Sequence, residues 1–310
     1  MSTQLTARQR ITHDVLDRVG GTPLCRLSGV ESRKNDIEIL FKAEWINPSG
    51  SVKDRAASQI IVNAIASGKL TRDRWILDAT SGNNGVSLAM IGAALGYRVR
   101  LCVPANICEE KKRVLRAYGA DLVFTSVAEG SDGAIRQAKA IASERENRYF
   151  YADQYSNPSN WQAHYYGTAE EIWEQTGGSV THFVAAVGSS GTFVGTSRRL
   201  KELNPAIKCI SLQPDSARHG LKGMKHMASA LVPAIYDPTV ADKNLEINTE
   251  EAHDMIRLLA REEGLLLGVT SGAALIGCRK VARWLSGPAT IVTIFADSAD
   301  KYLSEPYWSV

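Results

Sequence analysis

Between Trp75 and Phe295 the sequence switches repeatedly between two hydrophobic periods, and that switching restricts the fold more than any other feature. Short apolar runs stand at 75–77, 98–103, 121–124, 149–151, 182–187, 207–212 and 291–295. Stretches with helical periodicity lie among them, over 86–95, 109–118, 133–145, 161–175, 193–203, 249–263 and 271–285. Strand, helix, strand at this spacing reads as βαβ units and predicts an α/β chain of mostly parallel sheets flanked by helices. At 310 residues the chain exceeds the ~250 that one core usually supports, so one large or two interlocked domains are expected. Residues 214–247 break the pattern with Pro214, Pro233 and Pro238 and little periodicity, and an irregular stretch of that length is usually functional.

Several function classes fall away on composition. The Lys and Arg residues behind a formal charge of +3 are scattered and form no basic stripe, which argues against nucleic acid as a partner. No run approaches the ~18 apolar residues of a membrane helix, and Met1–Leu5 lacks the apolar core of a signal peptide. Five cysteines, an odd number without CxxC spacing, point to a reducing cytoplasm, with Cys102 and Cys209 expected to be buried as small hydrophobes. The histidines form no HxxxH pair and no His/Cys cluster, so no metal is expected.

The chemistry concentrates in turns. A strand-like run, Ile37–Phe41, leads into Asn47-Pro48-Ser49-Gly50-Ser51-Val52-Lys53-Asp54-Arg55, and an amphipathic run, Ala56–Ala66, leaves it. Ser51 is positioned to cap that helix, which puts Lys53 in its first turn, where the positive end of the macrodipole disfavours an ammonium. A neutral amine is what a Schiff-base lysine needs. Three more loops sit where parallel sheets bind ligands, past the C-terminal ends of strands. Thr80-Ser81-Gly82-Asn83-Asn84-Gly85 offers hydroxyls, amides and helix N–H groups to a carboxylate. Gly188-Ser189-Ser190-Gly191-Thr192 lets backbone approach an anion and suits a phosphate, although it matches neither a Walker loop nor GxGxxG. Asp297-Ser298-Ala299 follows the last strand.

In this order and at these intervals, the Lys53 turn, Thr80–Gly85, Gly188–Thr192 and Asp297-Ser298-Ala299-Asp300-Lys301-Tyr302-Leu303 resemble the cysteine synthase and cystathionine β-synthase family. These are fold-type-II enzymes that use pyridoxal 5′-phosphate. Supporting segments are Gly20–Leu24, Gln154–Pro158 and Gly268–Ala273, so the resemblance covers nearly the whole chain. It implies two interlocked domains: a smaller mobile one over 47–153, and a larger one of 1–46 plus 154–310 that binds the cofactor. It implies that Lys53 bonds covalently to the cofactor and later acts as base. Asn83 would meet the cofactor's phenolic oxygen, Gly188, Ser189, Ser190, Gly191 and Thr192 its phosphate, and Ser298 its pyridine nitrogen. A hydroxyl at that nitrogen makes a weaker electron sink, suited to β-chemistry rather than transamination. Thr80, Ser81, Asn84 and Gln154 would grip the substrate's α-carboxylate.

The chain departs from the family pattern at Asn84, where a threonine is usual, at Asp78 and Ala79, at Leu267 in place of alanine, and in Gly-Ser-Ser-Gly-Thr for Gly-Thr-Gly-Gly-Thr. With no heme-binding extension before Gly20 and no regulatory module after Tyr302, the short synthases are the expected relatives. The implied reaction is β-replacement on O-acetyl- or O-phosphoserine by sulfide or a thiol. The basic segment 218–226 suggests a phosphorylated substrate met by Lys225 or Arg218. The alternatives are an amine nucleophile, a serine/cysteine lyase, or a cofactor-binding regulatory partner of another enzyme. The family is usually a homodimer, and some members bind an acetyltransferase tail.

Overall fold

The computed structural model describes residues 15–27, 36–145 and 147–309; Met1–Leu5 lies outside them. The chain opens with β1 (Leu24–Arg26) and β2 (Ile37–Ala43) and turns through Asn47–Val52 into α1 (Lys53–Ala66). It continues with β3 (Trp75–Ala79), α2 (Asn83–Leu95), β4 (Val99–Pro104), α3 (Glu109–Ala117), β5 (Asp121–Thr125), α4 (Gly130–Glu144) and β6 (Tyr149–Tyr151). After α5 (Pro158–Ala163) and α6 (Ala169–Gln175) come β7 (His182–Ala186), α7 (Gly191–Leu203), β8 (Lys208–Pro214) and β9 (Lys243–Ile247). The last elements are α8 (Thr249–Glu262), α9 (Val269–Ala282) and β10 (Ala289–Phe295).

Two sheets result. One has four parallel strands in the order β5-β4-β3-β6; the other has six, β1-β2-β10-β7-β8-β9, parallel except for the β1–β2 pair. The strand period explains how both faces fill with apolar side chains. In β3, Ile76 packs with Ile60 and Ile61 of α1 and Ile91 of α2, while Leu77 and Ala79 pack with Ala134, Ile135 and Ala138 of α4. In β10, Ile291 and Phe295 join the core under α8 and α9, and Val292 and Ile294 join the one under α7. No helix among the described residues is long and apolar enough to cross a membrane.

Three local expectations change. The helix expected over 161–175 runs unbroken from Pro158 but is not α-helical throughout: a π-helical turn at His164–Thr168 joins α5 to α6, and across it His164 Nδ1 lies 2.9 Å from Thr168 Oγ1. The irregular segment 214–247 ends in β9, an edge strand whose polar residues Lys243, Asn244 and Glu246 hide the period-2 pattern. Ser51 stands one residue before the N-cap position of α1 and meets the helix at its first N–H. The residue before the helix is Val52, without a side-chain cap, and Ser51 Oγ accepts only from Lys53 N at 3.3 Å.

The turn into α1 is anchored by a buried ion cluster. The guanidinium of Arg55 donates to both Glu44 oxygens at 2.7 and 2.9 Å and to both Glu171 oxygens at 2.7 Å. Lys42 Nζ donates to Glu171 Oε2 at 2.6 Å, and Thr22 and Asn47 donate to Glu44 at 2.7 and 2.8 Å. Burial works to raise the Glu171 carboxyl, yet Arg55 and Lys42 hold it at about 2. We expect Arg55→Met to lose about 3–5 kcal/mol in urea unfolding, because it leaves Glu44 fully buried without its cation. Arg55→Lys should fall between the two, since it keeps the charge but not the fork.

Candidate active site

A cavity of about 630 Å³ opens where the C-terminal ends of the strands in both sheets face each other. Lys53 enters it as the first residue of α1. The preceding turn is fastened to the last strand: Val52 N donates to Ala296 O at 2.9 Å, Lys301 Nζ to Ser49 O at 2.5 Å, and Ser51 bridges to Asp297. Gly50, at φ +80°, supplies the left-handed residue this turn requires. Burial lowers the Lys53 pKa; the fields of Asp297 and Glu44 oppose that only in part. The amine is thus biased toward its neutral form.

Asn83 stands in the first turn of α2. Its Nδ2 donates to Asp297 Oδ2 at 2.6 Å, and the Tyr302 hydroxyl donates to the same oxygen at 2.6 Å. That leaves Asn83 Oδ1 buried without a partner. On the opposite wall Gly188, Ser189, Ser190 and Thr192 line the cavity ahead of and within the first turn of α7. Ser190 holds φ +74°, and its buried hydroxyl has no partner. A side chain at Gly188 would start 2.1 Å from Gly223 O, so backbone forms this wall. Gly191 lies behind the lining, against Asn160. Thr192 Oγ1 lies 3.2 Å from His164 Nε2, and burial holds the His164 ring well below its ordinary pKa.

Thr80, Ser81, Asn84 and Gln154 line the same cavity. Thr80 Oγ1 donates to Gly82 O at 3.2 Å and accepts from Gly82 N and Gly85 N at 3.0 and 3.1 Å. Asn84 Nδ2 donates to Asp78 Oδ2 at 2.9 Å, and Gln154 Nε2 to Ala79 O at 2.9 Å. Full burial pushes the Asp78 carboxyl up to about 8, against the stabilising N–H of Ala79.

Three expected site residues stand otherwise. Ser298 is not on the cavity lining, and its hydroxyl bonds the Asp300 carboxylate; the residue of that loop facing the cavity is Asp297. Close by, across the Leu267–Ser298 bridge, a hydroxyl that does line the wall is Thr270, in the first turn of α9. Arg218 is exposed and absent from the lining, because the chain presents Ala217 and His219 there. Lys225 does line the cavity, but its ammonium is paired with Asp132 Oδ1 at 2.9 Å, so it is no free cation for a phosphate. Sequence reasoning also passed over Asp297, Tyr302 and Lys111. The first two lie in a loop already singled out, whereas Lys111 is a lone lysine on a charged helix and carries no motif.

A family model described as "Pyridoxal-phosphate dependent enzyme" matches residues 15–297. A cysteine synthase of Aquifex aeolicus is 44% identical over 300 residues, covering 95% of this chain and 92% of that protein. The crystal structure of a cysteine synthase of Entamoeba histolytica superposes with a TM-score of 0.92 at 36% identity, covering 100% of this chain and 94% of that one. An O-ureido-L-serine synthase structure gives 0.90 at 31% identity, with 96% of each chain covered.

Asp78 makes stability depend on pH in a definite direction. Its folded-state pKa lies above the unfolded one, so its contribution is full below about pH 4 and is lost as pH rises toward about 8. Asp78→Asn is therefore expected to gain on the parent protein between those values in urea unfolding and to hold a constant difference above them.

Proposed function

The chain belongs to the pyridoxal-phosphate dependent enzymes and, within them, to the cysteine synthase family, and on that premise we propose that it replaces the β-substituent of an O-activated L-serine with a sulfur nucleophile. The observation that carries this reading is the fit of one cavity to the cofactor. A buried lysine amine biased toward neutrality, an orphaned buried Asn83 Oδ1, an orphaned buried Ser190 hydroxyl and the N-terminus of α7 converge on it. Lys53 would hold the cofactor covalently, Gly188–Thr192 its phosphate, and Asn83 its phenolic oxygen. Thr270 would take the role that the family resemblance implies for Ser298, the hydroxyl at the pyridine nitrogen. When bound, pyridoxal 5′-phosphate supplies a sink for the electron pair released at the substrate's α-carbon.

The protein's own part is positioning and proton transfer. Ser81 and the start of α2 receive the substrate carboxylate, and Thr80, Asn84 and Gln154 hold that loop in shape. Lys53 Nζ takes the α-proton, holds it while the β-substituent leaves and sulfide or a thiol adds, and returns it to the α-carbon. Movement of residues 47–153 toward the rest of the chain would shut water out. The contacts from Asp132 of α4 to Lys225 Nζ and to Leu231 N, both 2.9 Å, span the mouth where such closure acts. An acetyl leaving group is favoured over phosphate by the pairing of Lys225 and the exposure of Arg218. The same reading includes a cytoplasmic homodimer, in keeping with five free thiols, and a cavity able to take the carboxyl end of an acetyltransferase tail.

We expect Lys53→Ala to lose at least about 10³-fold in turnover of O-acetylserine with sulfide, while cofactor binding survives in part. Near-parental activity in that variant would overturn the proposal, and pyruvate formed without sulfide would replace it with elimination. We further expect Thr270→Val to weaken the cofactor about 3- to 10-fold in equilibrium titration, the loss of one hydrogen bond, with Ser298→Ala close to the parent. The reverse ranking would return the role to Ser298.

A further inference from the structure

Lys111 lines the cavity wall, and the proposed reaction leaves its chemistry unused. It projects from α3, and only 4% of the residue is exposed, yet it lines the cavity. Among the described residues its ammonium has no carboxylate partner and no hydrogen-bond acceptor; its recorded contact is the Tyr302 ring, 4.1 Å to the centroid. The other cations at this end of the cavity are satisfied, Lys225 by Asp132 and Lys222 by Glu305. Burial pushes the Lys111 ammonium down to about 8 even with Cys108 and Asp297 nearby. A buried, unpaired charge is costly to keep unless something completes it.

What completes it follows from where it lies. A side chain on Gly82 would start 3.2 Å from Lys111 Nζ, so glycine there lets the ammonium sit directly on the loop between β3 and α2. Two side chains of that loop are engaged with their neighbours, Thr80 with Gly82 and Gly85 and Asn84 with Asp78, and Gln154 beside it with Ala79. These side chains shape the loop, and none of its groups, Ser81 and the start of α2 included, carries a full positive charge for the carboxylate. We infer that Lys111 is the charged member of the carboxylate site and binds the α-carboxylate of the amino-acid substrate against Gly82. Each partner then supplies what the other lacks: the carboxylate gains a charge-assisted donor and the ammonium its missing acceptor.

The inference rests on the proposed reaction with an amino acid, and the test separates the two. The holoenzyme is titrated with L-alanine and with L-alaninamide, which lacks the carboxylate, while cofactor absorbance is followed. Lys111→Met is expected to lose about 10- to 100-fold in affinity for alanine, one charge-assisted hydrogen bond, and less than about 3-fold for the amide. Lys111→Arg should keep most of the alanine affinity, and Lys111→Gln gives a second neutral variant. For O-acetylserine the loss should fall on KM, with kcat nearly held. Without ligand, Lys111→Met should unfold at the same or a higher temperature than the parent, since it removes an unpaired buried charge. Unchanged alanine affinity in the neutral variants, or equal losses for alanine and the amide, would overturn the role of Lys111 alone. A parent protein that responds to neither amino acid would overturn the proposed function, and this inference with it.

Discussion

The guanidinium of Arg55 joins Glu44, just past the end of β2, to Glu171 on α6, and the position of the reactive lysine depends on that junction. Arg55 lies two residues after Lys53, so fixing its fork fixes the first turn of α1. Two cations, Lys42 and Arg55, meet two carboxylates, Glu44 and Glu171, and the charges close within the cluster. Such a cluster adds little net stability over apolar packing of the same volume. What it contributes is one geometry, because a carboxylate with both oxygens engaged by a planar fork cannot shift without stranding a charge. Val52 and Ser49 then tie the same turn to the last strand, and Lys53 is held from both sides.

The interior around the cavity discourages charge of either sign. Burial raises Asp78 to about 8 and lowers Lys111 to about 8. It drives His164 and Lys53 toward their neutral forms and holds Tyr302 protonated. A wall of this kind holds its ionisable groups close to neutrality until a ligand of opposite charge completes them. It also fits a site in which an amine must be a base near neutral pH, since a solvated lysine would be almost wholly protonated there.

Much of this was legible in the sequence. The strands were readable because parallel strands covered on both faces are apolar throughout, and β9 escaped because an edge strand faces solvent. That Lys53, Asn83 and most of Gly188–Thr192 line one cavity was legible because ligand-facing turns at strand ends carry small and amide residues, and the family motifs point to the same turns. Which hydroxyl lines the cavity was not legible in the same way. Ser298 follows the last strand and Thr270 opens a helix, each a hydroxyl in a turn at an element end, and only the packing shows which one reaches the cavity. Lys225 was legible as a cation but not as a paired one, since Asp132 lies 93 residues away. Lys111 could not be read at all, because on α3 it looks like any solvated lysine until α3 is packed against Tyr302.

The contact between Gly188 and Gly223 has a consequence for how this scaffold can be altered. Gly188 has room for hydrogen only, with Gly223 O where a β-carbon would go, and Lys225 N donates to Val187 O at 2.9 Å just beside it. The Gly188–Thr192 loop and the segment at the mouth of the cavity are therefore one backbone unit rather than two modules. A mouth segment grafted from a relative with different backbone at 223–225 would disturb the Gly188–Thr192 loop directly, whatever side chains it carried. Altering substrate preference by exchange of that segment thus requires carrying 187–192 along with it, whereas single side-chain changes outside the contact leave the loop untouched.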